Sequence, residues 1–132
     1  MKRLRILLST LILVFTIIIA GCGGNVKVNL DLSKLSSYAV QSEVYKMQKA
    51  STAQEYIGKT IKMRAMPKAD GDYHYIIGPD GDECCNWEME IQLSEGLSSF
   101  PTTNKNTYVT GKYKYYKENG KTYYYLELLE YV

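Results

Sequence analysis

Two adjacent cysteines, Cys84 and Cys85, are the residues of this chain with the most specific chemistry. Neighbouring thiolates bind soft ions such as Zn²⁺ and Cu⁺. A closed zinc site needs four ligands, and His74 is the only histidine that could add a nitrogen. Asp82 and Glu83 precede the thiols, and their negative charge disfavours the thiolate form. Two interpretations stay open, a metal or redox site formed by Cys84, Cys85 and His74 or a structural pair of thiols, and the shortage of ligands favours the second.

Tyrosine is the second residue type with ligand-binding chemistry, because the chain holds 13 tyrosines but only two phenylalanines and one tryptophan. Each tyrosine combines a large apolar ring with a hydroxyl that needs a partner. Towards the end of the chain a stripe of aromatic and basic residues has strand spacing: Lys112, Lys114, Tyr116, Tyr123 and Tyr125. Aromatic rings that stack on a ligand, together with cations, bind single-stranded nucleic acids or sugars in other proteins. The stripe is therefore a candidate ligand-binding surface, and its alternative is ordinary cross-strand tyrosine pairing on a wet sheet face.

Catalytic machinery is not visible in the sequence. The chain has one histidine and lacks a Gly-x-Ser-x-Gly motif, a phosphate-binding loop and a motif with paired catalytic acids. Only the cysteines remain as nucleophiles, and neither has an obvious base. We therefore expect a non-enzymatic protein without a cofactor.

The N-terminal residues predict where the protein is located and do not predict an activity. Three basic residues precede a run of fifteen mostly apolar residues, 6–20, which closes in the lipobox Ile19–Cys22. This order is typical of a bacterial lipoprotein signal peptide, with small residues before the cut and a cysteine after it. Residues 1–21 are thus predicted to be removed and Cys22 to carry the lipid. The alternative, an uncleaved membrane span, is disfavoured because fifteen residues are fewer than the roughly 20 that a helix needs.

Removal of the signal peptide changes the electrostatics. All three basic residues of the segment leave and no acid does, so the formal charge falls from +2 to −1. Without a net positive charge, a nucleic-acid partner is not expected, and the tyrosine stripe is better explained by ordinary pairing. The expected partners are the cell membrane, contacted through the lipid on its extracytoplasmic face, and an unidentified extracytoplasmic ligand or protein. The remaining 111 residues suit one small domain.

The elements that must position these residues begin with a short helix. Residues 22–41 are predicted to be a tether that follows the lipidated cysteine, with Leu30, Leu32 and Leu35 docking on the domain. Ser42 is the predicted N-cap of a helix that ends near Thr52, and the domain itself is predicted to span 42–132. Val44, Tyr45, Met47 and Gln48 have the spacing expected for one face of this helix.

Beyond Gly58 the hydrophobic pattern alternates, which predicts five strands. They cover residues 60–65, 73–77, 87–93, 107–117 and 122–131. A loop over 94–106 separates the third strand from the fourth. Five strands, a bend and a helix predict a mainly β protein, a small five-stranded OB-like barrel with a short N-terminal helix, preceded by the signal peptide.

The last two strands form a predicted hairpin whose register follows from its turn. Asn119-Gly120 suits a two-residue type I′ turn, because both residues tolerate positive φ. One face then pairs Tyr115 with Tyr124, Tyr113 with Leu126 and Gly111 with Leu128. The other pairs Tyr116 with Tyr123, Lys114 with Tyr125 and Lys112 with Glu127. The first face is the predicted core, and Gly111 is where the strand would bend or pack closely.

Several motifs resemble those of a family of small OB-fold-like lipoproteins of low-GC Gram-positive bacteria. They are the stretches 31–35, 56–63, 73–77 and 108–113, together with the cysteine pair. The resemblance covers about residues 30–132. It implies the barrel fold and the lipid anchor, and it implies no activity. The sequence thus predicts a lipid-anchored, non-enzymatic OB-like binding module with an unidentified ligand, and the alternative is a thiol-dependent metal or redox protein that uses Cys84 and Cys85.

Overall fold

The computed structural model describes residues 25–79 and 86–132. The predicted signal peptide, Cys22, Cys84 and Cys85 lie outside these ranges. The elements are β1 (Leu30–Asp31), α1 (Ser37–Gln48), a 3₁₀ turn (Ala53–Glu55), β2 (Thr60–Asp70), β3 (Tyr73–Ile77), β4 (Glu88–Leu93), β5 (Thr107–Glu118) and β6 (Lys121–Tyr131). Among the described residues, no helix has the length and apolar character to span a membrane.

The strands form one six-stranded mixed sheet in the order β1-β2-β3-β4-β6-β5, so the prediction of a mainly β protein with one short helix is confirmed. β2 is long enough to pair with two partners. Its first half, 60–65, lies antiparallel to β5, and its second half, 66–70, lies antiparallel to β3. β4 runs antiparallel to β3 and parallel to β6. The pairing therefore passes from β2 through β3, β4, β6 and β5 and returns to β2.

The register predicted for the C-terminal hairpin is confirmed, with Glu118 opposite Lys121 and Tyr113 opposite Leu126. The cause is the turn, where Asn119 and Gly120 have φ of 51° and 76°. Positive φ at both central residues defines a type I′ turn, whose twist matches that of the flanking strands. A single two-residue turn thus determines which side chains of β5 and β6 share a face.

Close packing at Gly111 is also confirmed. A Cβ atom on this residue would lie 2.6 Å from Cγ of Leu126 and 2.7 Å from the backbone oxygen of Glu127. The register shifts directly beside it, since Gly111 is opposite Leu128 whereas Thr110 is opposite Glu130. The extra residue on β6 makes a bulge, which bends the strand.

The core lies between the inner faces of the strands and helix α1. Its largest fully buried side chains include Tyr113, Leu32, Met47, Ile61, Met63, Ile76, Met89, Leu126 and Leu128. The buried phenol of Tyr113 donates a hydrogen bond of 2.6 Å to the backbone oxygen of Met47. This bond satisfies the hydroxyl and joins β5 to the last turn of the helix.

The predicted bounds of the helix are wrong at both ends. The N-cap is Ser36, whose hydroxyl accepts a hydrogen bond of 3.3 Å from the backbone N–H of Ala39, whereas Ser42 lies exposed within the helix. The buried residues Val40, Val44 and Met47 follow helical spacing that begins before Ser42. Lys49 is extended, so the helix ends at Gln48 rather than near Thr52, and the 3₁₀ turn begins only at Ala53, beyond the predicted end.

The described residues contain six strands rather than five, because β1 lies in the segment predicted as a tether. Leu30 is opposite Ile61 in a parallel pair, and Leu32 is 1% exposed. Docking of Leu30 and Leu32 on the domain is thus confirmed, whereas Leu35 is 45% exposed. A strand of two residues is too short to produce the alternating pattern from which strands are predicted.

Candidate functional site

The three tyrosines of the predicted stripe lie together on the outer surface of the β5–β6 hairpin. The rings of Tyr116 and Tyr123 are stacked, with centroids 5.3 Å apart and planes 17° apart. Tyr125 is tilted by 53° against Tyr116 at 5.8 Å. Their neighbours along the strands, such as Tyr113 and Leu126, point into the core. The alternation of the sequence therefore places the polar rings outside and the apolar side chains inside.

The two lysines of the stripe are placed differently. Lys114 makes an ion pair with Glu127, with 2.8 Å between Nζ and Oε2. The hydrogen bond that Lys114 donates to Glu127 raises the pKa of Lys114. Lys112 is exposed and lies opposite Glu127 in the register. Because Glu127 neutralises part of this positive charge, the net positive charge of the stripe is smaller than its two lysines suggest.

Two strands add residues that the sequence analysis missed. Tyr75 on β3 is opposite Glu90 on β4, and Glu90 is opposite Tyr125 on β6. Tyr73 stacks on Tyr75, with centroids 5.3 Å apart and planes 24° apart. The outer surface of three strands thus carries the tyrosine face, which we define as Tyr73, Tyr75, Tyr116, Tyr123 and Tyr125.

Two glutamates accept hydrogen bonds from two of the five hydroxyl groups of this face. Tyr73 donates to Oε1 of Glu88 at 3.0 Å, and Tyr116 donates to Oε2 of Glu90 at 2.9 Å. The second oxygen of Glu90 accepts a bond of 2.9 Å from the side chain of Gln92. Burial and the bond to Glu90 raise the pKa of Tyr116 to about 12, and burial and Glu88 raise the pKa of Tyr73. Both phenols therefore stay protonated and act as donors at neutral pH.

The tyrosine face is open to solvent. Tyr73 is 41% exposed and Tyr123 is 39% exposed, and the other three rings are half-buried. A groove of about 580 Å³ begins beside it, where Lys114 and Glu127 line the wall together with Leu93 of β4. The arrangement can bind a ligand by stacking and hydrogen bonding.

The predicted metal site is only partly within the described residues. His74 stacks on Phe100, with ring centroids 3.6 Å apart and planes 2° apart. In 25–79 and 86–132, no three side chains of the metal-binding types cluster. Cys84 and Cys85 fall outside these ranges, so a site that combines them with His74 stays a prediction.

The sequence contains the alternation that places these residues on one face of each strand, although not the pairing that brings the strands together. Tyr73 and Tyr75 alternate with His74 and Ile76, and Glu88 and Glu90 alternate in the same way with Met89 and Ile91. Comparison with models of protein families, with curated proteins and with solved structures finds no match for this chain. The function must therefore be inferred from the residues of the site.

Proposed function

We propose that the chain is a non-enzymatic binding module, anchored by lipid at Cys22 to the outer face of the cell membrane, that binds its ligand on the tyrosine face. We propose that its fold is an OB-like barrel and that a lipoprotein signal peptide precedes it. The return of the strand pairing from β5 to β2 supports the barrel. The lipobox supports the anchor, and the family resemblance of residues 30–132 agrees with both.

The position of the tyrosine face is the observation that carries the proposal. OB barrels bind their ligands on the face of their second and third strands and with the loops that follow the first and fourth. If β2 is the first barrel strand, these parts are β3, β4 and the turns at 71–72 and 119–120. Tyr73 directly follows the first turn, and Tyr116 and Tyr123 flank the second. Five aromatic rings, two exposed and three half-buried, thus lie where an OB barrel would bind its ligand.

The charge of the site argues against a polyanion as the ligand. Glu88 and Glu90 place two carboxylates among the rings, and Glu127 pairs with Lys114. Nucleic-acid binding depends on basic groups that contact phosphates. We therefore propose a ligand without a dense negative charge.

Titration of the full-length chain with fractions of a bacterial envelope tests the proposal. The chain is held in micelles of a nonionic detergent with its tyrosine side chains labelled for NMR, and peptidoglycan fragments, wall polymers and membrane lipids are added separately. We expect at least one fraction to shift the ring signals of the tyrosine face and to leave those of Tyr38 and Tyr115 in place. Tyr38 is 75% and Tyr115 45% exposed, and both lie outside the face. Shifts confined to these control tyrosines, or no shifts with any fraction, would contradict the proposal.

A further inference from the structure

Glu90 lies between Tyr75 and Tyr125 in the strand register, at the centre of the tyrosine face. Tyr75, Glu90 and Tyr125 are register partners across β3, β4 and β6. Adjacent strands are about 4.8 Å apart, so the two tyrosines are separated by roughly 10 Å with the carboxylate between them. A cation above Glu90 would lie about one strand spacing, roughly 4.8 Å, from the strands of Tyr75 and Tyr125, within the range of about 6 Å over which a ring attracts a cation.

The rings and the acids attract the same kind of group. The face of an aromatic ring carries partial negative charge, and a cation within about 6 Å of its centre is attracted to it. Tyr116 and Tyr125 meet at 53° rather than in a flat stack, which makes a corner beside Glu90. Glu88 adds a second negative charge at the bond to Tyr73. Rings at an angle next to carboxylates are complementary to an organic cation.

The hydrogen bonds within the face distinguish between kinds of cation. Each oxygen of Glu90 already accepts a bond, one from Tyr116 and the other from Gln92. The phenols of Tyr73 and Tyr116 are engaged as donors. The phenol protons of Tyr73 and Tyr116 and part of the acceptor capacity of Glu90 are thus used within the face, so negative charge and ring surface are the main features it presents to a ligand. A quaternary ammonium group suits it best, because this cation has no N–H group that needs a partner.

We infer that the tyrosine face binds a quaternary ammonium group, with Glu90 as its counter-charge and the rings of Tyr75, Tyr116 and Tyr125 around it. The inference rests on the proposed function and names the ligand chemistry of the same site. A neutral sugar is the competing ligand, since sugar rings also stack on tyrosine. Sugar binding would depend on the rings and much less on the charge of Glu90.

Binding of tetramethylammonium to the full-length chain in nonionic micelles tests the inference. The ring signals of labelled tyrosines report the site, and sodium chloride keeps the ionic strength constant. The uncharged probe tert-butanol has nearly the same shape as the cation. We expect tetramethylammonium to bind at least tenfold more tightly than tert-butanol and to shift the signals of Tyr75, Tyr116 and Tyr125.

Variants separate the charge from the rings. Glu90→Gln removes the charge but keeps an acceptor for Tyr116, and we expect it to weaken tetramethylammonium binding about tenfold. Tyr125→Leu should weaken binding similarly, whereas Tyr125→Phe should retain most of it, since the ring carries the attraction. Matched controls are Glu130→Gln and Tyr115→Leu, exposed positions outside the tyrosine face that should bind like the unaltered chain. The fluorescence of the buried Trp87 checks that each variant is folded.

The outcomes distinguish this inference from the proposed function. Equal binding of tert-butanol and tetramethylammonium, or full binding by Glu90→Gln, overturns the quaternary ammonium inference. So does a neutral oligosaccharide that shifts the same signals equally in the Glu90→Gln variant, and this result keeps the tyrosine face as the binding surface. If tetramethylammonium has no effect while an envelope fraction still shifts the face, the inference alone fails. If neither has an effect, both proposals fail.

Discussion

Replacement of Gly111 by alanine probes the packing on which the C-terminal hairpin depends. The new Cβ would lie 2.6 Å from Cγ of Leu126 and 2.7 Å from the backbone oxygen of Glu127. Overpacking of this kind typically costs about 1 to 3 kcal/mol. We expect a loss of about 3 kcal/mol, at the upper end, because one of the two contacts is with backbone that cannot rotate away. For a domain of this size, each kcal/mol lowers the melting temperature by about 4 to 8 °C, so the expected drop is roughly 12 to 24 °C.

Thermal unfolding followed by the fluorescence of Trp87 measures the effect, since this tryptophan is 5% exposed in the folded domain. Gly96→Ala is the matched control, because a Cβ at this exposed glycine meets only one atom, at 4.0 Å. The control should change the stability by less than about 0.5 kcal/mol. A Gly111→Ala variant that melts within 2 °C of the control would refute the close packing of β5 against β6.

Three further predictions concern the turn and the cysteines. Gly120→Val should cost about 1 to 3 kcal/mol, because Gly120 has φ of 76° and a β-branched residue is strongly disfavoured there; an unchanged melting temperature would argue against the type I′ turn. Cys22→Ala should abolish incorporation of a labelled fatty acid, because Cys22 is the predicted acylation site, where a diacylglyceryl group would supply the two chains that stable anchoring needs. Undiminished label would contradict the lipid anchor. We expect the purified chain to contain no stoichiometric metal, and replacement of Cys84 and Cys85 by serine should not change its metal content. About one equivalent of zinc or copper that is lost in the double variant would favour the thiol-dependent function.

The parts of the fold that the sequence predicted well are those with strong local causes. Strand alternation located β3 without error and placed the bounds of β5 and β6 within one residue. The Asn119-Gly120 turn predicted every pair of the hairpin from Gly111 to Glu118, because a two-residue loop leaves no freedom in the register.

The errors come from elements whose local signal is ambiguous or short. Ser36 and Ser42 are equally good N-cap types, and the choice between them depends on where the buried stripe begins at Val40. β1 has two residues and exists because β2 offers it a parallel partner at Ile61. Tertiary contacts therefore determine both features, and a local pattern does not contain them.

Some residues of the candidate site could be predicted from local signals, and others depend on tertiary pairing. Tyr116, Tyr123 and Tyr125 were predicted to share a face because one turn joins their strands. The addition of Tyr75 and Glu90 depends on β4 lying parallel to β6. A parallel pair joins strands far apart in the chain, and no local signal specifies it. The acidic character of the site was missed for this reason, and with it the expectation of a cationic ligand.

The measurement that tests the tyrosine face most directly is cosedimentation of the full-length chain with isolated bacterial envelopes after extraction of their own proteins. The unaltered chain, Tyr125→Leu and the control Tyr115→Leu are compared in the same nonionic detergent, which removes attachment through the lipid. We predict that the unaltered chain and Tyr115→Leu sediment to the same extent, and that Tyr125→Leu needs about tenfold more envelope for half-maximal binding. Equal sedimentation of all three proteins would contradict the claim that the tyrosine face binds the ligand.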